Sequence, residues 1–211
     1  MQIWLFIAAA QAGQAEPARA RPLDKCRNDA AFVEYRERLL HAVASKNVGE
    51  LRPLLASNIQ YSFGHEGGWP GFVREWKLDS PADSALWSEL AEVLHLGCEQ
   101  YDGSRIAPGN FNELSSYGLG LPPFFAVEKG AALRSRPDDA ASLVLALDNH
   151  VLVEILDDAS GAIPEGWLHA RLTDGRSGYV LLSAVRNVID YRARFEKRDG
   201  KWIMTSFIAG D

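Results

Sequence analysis

The sequence has few of the residues on which metal sites and covalent catalysis depend. Among its 211 residues are only two cysteines, Cys26 and Cys98, and five histidines scattered along the chain. The cysteines do not form a CxxC pair and the histidines do not add ligands at zinc-site spacing, so the sequence indicates no metal and no cofactor. GxSxG, HExxH and P-loop motifs are absent as well. No motif in the chain therefore indicates catalysis.

An excess of positive charge is also missing. The chain has 22 lysines and arginines against 28 aspartates and glutamates, a formal net charge of -6. Because nucleic-acid phosphates and anionic membranes attract basic surfaces, this balance argues against both as partners. The arginine-rich stretch at 192–201 carries acids among its bases, which is typical of a solvated hairpin.

The apolar run at the N-terminus, Ile3 to Ala10, is too short to cross a bilayer, which takes roughly 20 residues. Ala10-Gln11-Ala12 and Gly13-Gln14-Ala15 follow it, and both fit the small-x-small pattern that signal peptidase accepts, although no Lys or Arg precedes Ile3. We interpret residues 1–20 as a signal peptide and expect a periplasmic or secreted protein without a transmembrane segment. A start-site error or an ordinary N-terminal strand is the alternative.

An exported chain with an even number of cysteines can pair them. Cys26 lies just before the first predicted helix, and Cys98 ends the last N-terminal one. We therefore predict a Cys26–Cys98 disulfide, with two buried free thiols as the alternative.

A composition of 47% apolar and 24% charged residues is typical of a globular chain of one or two domains. Apolar residues recur at helical spacing through most of the first hundred positions. The predicted elements are two helices within 29–56 that begin after Asp29 and at Asn47, a strand at 59–63, and helices at 71–78 and 84–98. Residues 99–123 carry little pattern, which predicts a long loop or a module boundary.

Beyond residue 123 the pattern changes to short apolar or alternating runs, separated by turn residues about every ten positions. In the stretch 166–180, Leu168, Ala170 and Leu172 alternate with polar residues, as in a strand with one buried face. Asp174-Gly175 is a favoured pair for a tight hairpin. These features predict a small barrel or sandwich.

Residues 126–186 resemble the bacterial SH3-like family. The residues that carry the resemblance are Leu133 to Pro137, Val151 to Leu156, Gly166 to Leu168 and Asp174 to Val180. The family implies a small barrel of five to seven strands that usually serves as a non-catalytic binding or targeting module in exported, often envelope-associated proteins. The acidic aromatic motif with which eukaryotic SH3 domains bind proline-rich peptides is absent, so that ligand is not expected here.

The flanks resemble a second family. Residues 35–64 are similar to the helix–helix–strand opening of NTF2-like domains, and residues 190–211 to their closing hairpin, with Asp199-Gly200 at the turn. That fold has more sheet than one clear N-terminal strand and this hairpin provide. If both resemblances hold, the SH3-like barrel is inserted into an α+β host.

We therefore predict an α+β protein with an N-terminal helical region and a small C-terminal SH3-like β-barrel. The expected division is a signal peptide at 1–20, a helical or α+β region at 24–125, the barrel at 126–186 and a closing hairpin at 187–211. The apolar residues of that hairpin need a cover, so we expect it to pack on the N-terminal region.

The function predicted first is that of a non-enzymatic binding protein whose barrel recognises a peptide, an envelope polymer or a protein partner. Trp167 and Tyr179 are the candidate binding residues, because aromatic rings offer broad contact area, with Arg176 at the hairpin tip as a donor for carboxylates or carbonyls. If the two rings only cap the barrel, both should be buried.

The alternative function is an NTF2-like small-molecule-binding or catalytic domain that carries the barrel as an accessory. His65-Glu66 would then be the best acid–base pair, since such a pair must lie in a pocket beside its substrate. A closed apolar cavity lined by Tyr61, Phe63 and the 71–78 helix would favour this alternative, and a filled core would favour the first. A structural or inhibitory envelope protein is a third reading.

Overall fold

The computed structural model describes residues 16–19, 24–64, 67–109, 124–127, 131–148, 150–156 and 163–210. The helices in these ranges are α1 (Ala30–Ala44), α2 (Val48–Leu51), α3 (Trp69–Glu75) and α4 (Leu86–His95). The strands are β1 (Leu55–Gln60), β2 (Glu99–Tyr101), β3 (Ser104–Ala107), β4 (Phe124–Ala126), β5 (Ala131–Arg134), β6 (Leu143–Leu147), β7 (Leu152–Ile155), β8 (Trp167–Leu172), β9 (Ser177–Leu181), β10 (Val185–Asn187), β11 (Arg192–Arg198) and β12 (Lys201–Ile208). Four helices and two sheets confirm the α+β class. None of the described helices is both long and apolar enough to cross a membrane.

Polar caps set the starts of the first two helices. The Asp29 carboxylate accepts the Phe32 N–H at 3.1 Å, and the Asn47 side chain accepts the Glu50 N–H at 3.1 Å. Each bond satisfies an amide that the first helical turn leaves without a partner. The sequence signal at both positions therefore predicts the structure correctly.

The five-stranded sheet has the order β1-β12-β11-β3-β2, with β1 parallel to β12 and the other neighbours antiparallel. The closing hairpin β11–β12 thus lies in the middle of a sheet whose outer strands come from the N-terminal half. Helix α1 packs across it, with the Phe32 ring centroid 5.3 Å from that of Phe195 and 5.2 Å from that of Trp202.

The hairpin β2–β3 lies in the stretch that the sequence predicted to be a loop or boundary. Asp102 and Gly103 form its turn with φ of 43° and 72°, the left-handed values that tight two-residue hairpin turns require. Residues 99–107 are therefore ordered sheet rather than the start of a loop. This Asp-Gly pair is the signal that the prediction missed, because the flanking strands are too short to show alternation. Residues 110–123 lie outside the described part of the chain.

The seven-stranded sheet has the order β10-β4-β7-β8-β9-β5-β6. It curls strongly, since Leu147 of β6 and Val185 of β10 are buried in one apolar cluster. Within the described residues, however, β6 and β10 do not pair, so the sheet is open where a closed barrel was predicted. The chain leaves β6 early: His150, at φ 69°, donates its backbone N–H to the Ala126 carbonyl at 2.7 Å. Strand β7, which follows, pairs with β4.

The two sheets meet at a small apolar cluster and one buried arginine. Leu96, after α4, packs with Phe125, Leu152 and Val188. Arg186 of β10 is only 4% exposed, and its Nη1 lies 2.7 Å from Glu92 on α4. The second sheet is therefore held against the end of α4 by both apolar and ionic contacts.

The predicted cysteine pair is present at disulfide distance. The sulfurs of Cys26 and Cys98 lie at bonding distance, with Cα atoms 5.6 Å apart, within the usual range of disulfides. The N–H of Lys25 donates to the Cys98 carbonyl at 2.8 Å. The pair thus joins the segment before α1 to the segment after α4.

Residues 16–19 fall inside the predicted signal peptide and are packed on the second sheet. Pro17 is buried, and the Ala18 carbonyl accepts the Leu152 N–H at 2.9 Å. Arg19 Nη2 lies 2.7 Å from an Asp148 carboxylate oxygen. The apolar run and both cleavage motifs lie outside the described residues.

Candidate functional site

The hairpin β8–β9 sorts its side chains onto two faces. Trp167 is paired with Leu181 and His169 with Tyr179. Because strand side chains alternate between faces, these four lie on one side of the sheet. Leu168, Ala170 and Val180 lie on the other side, in the core of the second sheet. The alternation of core-facing and outward-facing residues predicted from the sequence for this strand agrees with the structure.

The rings on the outer side are half-buried. His169 and Tyr179 stack with centroids 4.8 Å apart and planes 17° from parallel, and Trp167 lies at the position diagonal to Tyr179. Trp167, His169 and Tyr179 are all of intermediate exposure. The two predicted aromatic residues therefore share a face and keep part of their surface in contact with solvent.

This surface continues across β5. Arg134 is paired with Tyr179, so Arg134 and Ala132 lie on the same side as the rings. We call this surface the aromatic face; its residues are Ala132, Arg134, Trp167, His169, Tyr179 and Leu181. It crosses three neighbouring strands of one sheet and places a single guanidinium among apolar and aromatic groups.

A concavity of about 180 Å³ opens at the Trp167 end of the aromatic face. Its lining residues are Ala131, Ala132, Arg134, Asp139, Trp167, Leu181 and Ala184. Arg134 donates from Nη1 to the Ala141 carbonyl at 2.8 Å, which orients its guanidinium. Within the described part of the chain, Arg134 makes no ion pair. The site can therefore receive a small apolar group beside a polar group, with Arg134 as a donor and Asp139 as an acceptor.

Arg176, the third predicted site residue, lies elsewhere. Its Nε donates to Asp174 Oδ2 at 2.9 Å, and its backbone N–H donates to Asp174 Oδ1 at 3.0 Å. The Arg176 hydrogen bond holds the pKa of the Asp174 carboxyl below its usual value, and Asp174 in turn raises the pKa of Arg176. This turn is at the opposite end of the hairpin from Trp167. Arg171, in the strand pair nearest the turn, is four positions from Trp167, or roughly 13 Å of strand. Arg134, and not Arg176, is the arginine beside Trp167.

The structure thus adds Arg134, His169 and Leu181 to the predicted site. Sequence alternation could have put His169 on the Trp167 face. Arg134 could not be found in that way, because its place depends on the pairing of β5 with β9.

Among the described residues, the candidates for catalysis and metal binding are not assembled into a site. His65 and Glu66 lie outside the described residues. His41 is exposed 3.5 Å from Glu50, and His95 Nδ1 lies 2.6 Å from the Ala91 carbonyl of its own helix. Among the described residues, Asp24, Cys26 and Cys98 are the only group close enough together to suggest a metal site, and the two sulfurs of that group already lie at bonding distance from each other.

The place proposed for an apolar cavity is filled by side chains. Phe72 and Trp76 are buried in the core of the N-terminal unit, and Tyr61 packs against that core. A Cβ atom at Gly71 would overlap the Tyr61 ring, so the strand and helix are in close contact there. Phe63 is 55% exposed and does not line a closed space.

A larger groove, of about 760 Å³, lies between α1 and the β11–β12 turn. Arg38, Arg198 and Lys201 line it together with Glu34 and Asp199. Charges of both signs alternate along this groove, which is typical of a solvated surface rather than of a site for one kind of ion.

Comparisons with protein-family models, with curated proteins and with solved structures found no match to this chain.

Proposed function

We propose that this protein is an exported, non-enzymatic binding protein that holds a peptide or protein partner on the aromatic face. The observation that carries the proposal is that the half-buried Trp167 ring and the Arg134 guanidinium line one concavity, with the His169–Tyr179 stack on the same face of the sheet. Trp, Tyr and Arg are the residues most enriched among those that dominate binding energy in protein interfaces.

The partial exposure of the rings supports binding over a purely structural role. A ring that only caps a core is covered by its own fold. Trp167 and Tyr179 instead keep solvent-accessible surface that a partner can bury. Arg134 adds directed donors, since a guanidinium can bind a carboxylate in a bidentate manner. A polypeptide partner with an apolar side chain next to a hydrogen-bonding polar group fits this surface best, because Asp139 lines the concavity together with Arg134.

The strongly curled second sheet supports the SH3-like relationship, and with it a binding or targeting role. The β2–β3 hairpin supports the NTF2-like relationship of the N-terminal unit, because it adds strands that the sequence prediction lacked. The filled core at Tyr61 and Phe72 favours the binding module over the small-molecule alternative.

Two features support export. A cysteine pair at disulfide distance is stable in an oxidising compartment. Residues 16–19 pack on β7, so cleavage after Gly13-Gln14-Ala15 would keep this contact, whereas cleavage near residue 20 would remove it.

The experiment is a pull-down from envelope fractions with purified wild type, Trp167→Ala and Arg134→Gln as baits. We expect both variants to retain at least about tenfold less of the captured partner, since contacts of this type dominate interfaces. Phe63→Ala is the matched control, because it removes an exposed ring outside the aromatic face. This variant should capture as much partner as wild type does.

Thermal unfolding of each bait distinguishes binding from folding. Trp167→Ala with an intact fold and normal capture would refute the proposal. If Trp167→Ala loses capture only because it unfolds, Trp167 is a core residue. Arg134→Gln then decides, since it removes the charge and keeps a polar side chain.

A further inference from the structure

Strand β6 forms one edge of the seven-stranded sheet. In the residues described, it pairs with β5 on one side and with no strand on the other. Its five residues, Leu143–Leu147, are all aliphatic. Leu143 is 56% exposed and Val144 is 36% exposed. The edge thus combines free backbone groups with apolar side chains in water.

Edges of this composition are normally protected. Soluble proteins place a lysine, a proline or a covering element on an edge strand, because its free N–H and C=O groups pair readily with another strand. Between Asp139 and Asp148 the chain has neither a charged residue nor a proline. The register shift makes Val144 an extra residue of β6, between the Leu133–Leu145 and Arg134–Leu143 pairs, while Leu145, Ala146 and Leu147 remain in regular pairing with β5.

We propose that β6 pairs antiparallel with β6 of a second copy of this chain, about a two-fold axis near Leu145. In that register Leu143 faces Leu147 of the other copy and Val144 faces Ala146. Every cross-strand pair is then apolar, and no like charges oppose each other. A two-fold interface uses the same patch on both subunits, and β6 is complementary to itself in this sense.

The charges at the two ends of β6 permit pairs of opposite sign between two copies. Arg136, Asp138 and Asp139 are in the exposed or half-exposed turn before the strand, and the Arg19–Asp148 ion pair follows it. Antiparallel pairing brings the first end of one copy beside the second end of the other. Arg136 then approaches Asp148, and Asp139 approaches Arg19. The complementary ends favour a second copy over an unrelated apolar strand.

The pairing has a geometric consequence for the aromatic face. Ala146 is paired with Ala132 and therefore lies on the same side of the sheet as the aromatic face. Because a two-fold axis between antiparallel edge strands runs perpendicular to the sheet, the two aromatic faces lie on one side of the dimer. If the proposed function holds, the dimer would bind in a bivalent manner; the dimer itself does not depend on that function.

The test is sedimentation equilibrium of the full chain, 23.3 kDa, over a concentration series. We expect wild type to form a dimer. Val144→Lys and Leu143→Lys should weaken dimerisation at least tenfold, since each places a charge at a desolvated apolar pair. Leu182→Lys is the matched control: Leu182 is 50% exposed but lies outside β6, and this variant should dimerise as wild type does.

Cysteine cross-linking tests the register. Val144→Cys mixed with Ala146→Cys should give a cross-linked heterodimer in mild oxidant, whereas Val144→Cys alone should not. A wild type that is monomeric throughout, or dimers that both lysine variants leave unchanged, would overturn the proposal. None of these results depends on capture by Trp167, so failure of this proposal and failure of the proposed function are separate outcomes.

Discussion

Among individual residues, Asp174 controls the hairpin that carries the aromatic face. Its two carboxylate oxygens accept from the backbone and the guanidinium of Arg176, and Gly175 takes φ of 91° beside it. The sequence predicted this turn from its Asp-Gly pair. It predicted a ligand-binding role for Arg176, whereas the structure shows that guanidinium engaged with Asp174.

We expect Asp174→Asn to lower the free energy of unfolding, with an effect that depends on pH. The pKa of Asp174 is lowered from 3.8, chiefly by the Arg176 hydrogen bond. A carboxyl whose folded pKa is depressed stabilises the fold above its unfolded pKa and stops doing so as pH falls through the folded value. Urea unfolding should therefore separate wild type from the variant at pH 7, and the difference should shrink as the pH is lowered toward 2. A deficit of equal size at both pH values would show that the charge is not the cause.

Among the elements, the cysteine pair joins the segment before α1 to the segment after α4. Cys26 and Cys98 are 72 residues apart in sequence, and the chain between them contains all four helices and β1. Both cysteines are buried in the main core. The pair therefore restricts the unfolded chain over the whole helical part of the protein.

Replacing both cysteines by serine should cost about 4 kcal/mol of the free energy of unfolding, the chain-entropy value for closing a loop of this length. Chemical denaturation of the oxidised wild type and of the double variant measures the difference. Wild type with reductant present should unfold like the double variant. Equal stability of all three samples would mean that the sulfurs are not bonded in solution.

Across the whole molecule, Arg186 links the two sheets. It belongs to β10, yet its Nη1 lies 2.7 Å from Glu92 and 3.7 Å from Glu89 on α4. Its Nη2 donates to the Tyr191 carbonyl at 3.0 Å. The arginine is 4% exposed, while the two glutamate side chains are each about one-third exposed. The buried partner of this network is thus the cation, and water reaches the anions.

This difference in exposure predicts which substitution lowers the free energy of unfolding more. Glu92→Ala leaves a buried guanidinium with the more distant Glu89 as its anionic partner and should cost about 2 kcal/mol or more, as removal of one partner of a buried pair does. Arg186→Met removes the buried charge and leaves two hydrated carboxylates, so it should cost about 1 kcal/mol or less. Urea unfolding of the two variants gives the comparison. The reverse order would mean that the carboxylates, and not the guanidinium, bear the desolvation cost.

The sequence by itself determined the features that depend on a few neighbouring residues. Asp29 and Asn47 start helices because their side chains accept nearby amides, and the strands between 131 and 181 follow from short-range alternation and turn residues. The pairing of Cys26 with Cys98 was predictable because the chain has no other cysteine. Where the local signal was short, as in the three-residue strand β2, the prediction was wrong.

Only the tertiary structure decided which residues meet across strands. The aromatic face forms because β5 lies beside β9, and β6 is an edge strand because it does not pair with β10. The Arg186–Glu92 contact forms because β10 lies against α4. Each of these depends on contacts between positions far apart in sequence, which periodicity does not encode, since period and turn chemistry describe one element at a time. Arg134 beside Trp167 is the clearest case, because their neighbourhood arises from the order of strands in the sheet and not from anything near either residue in the chain.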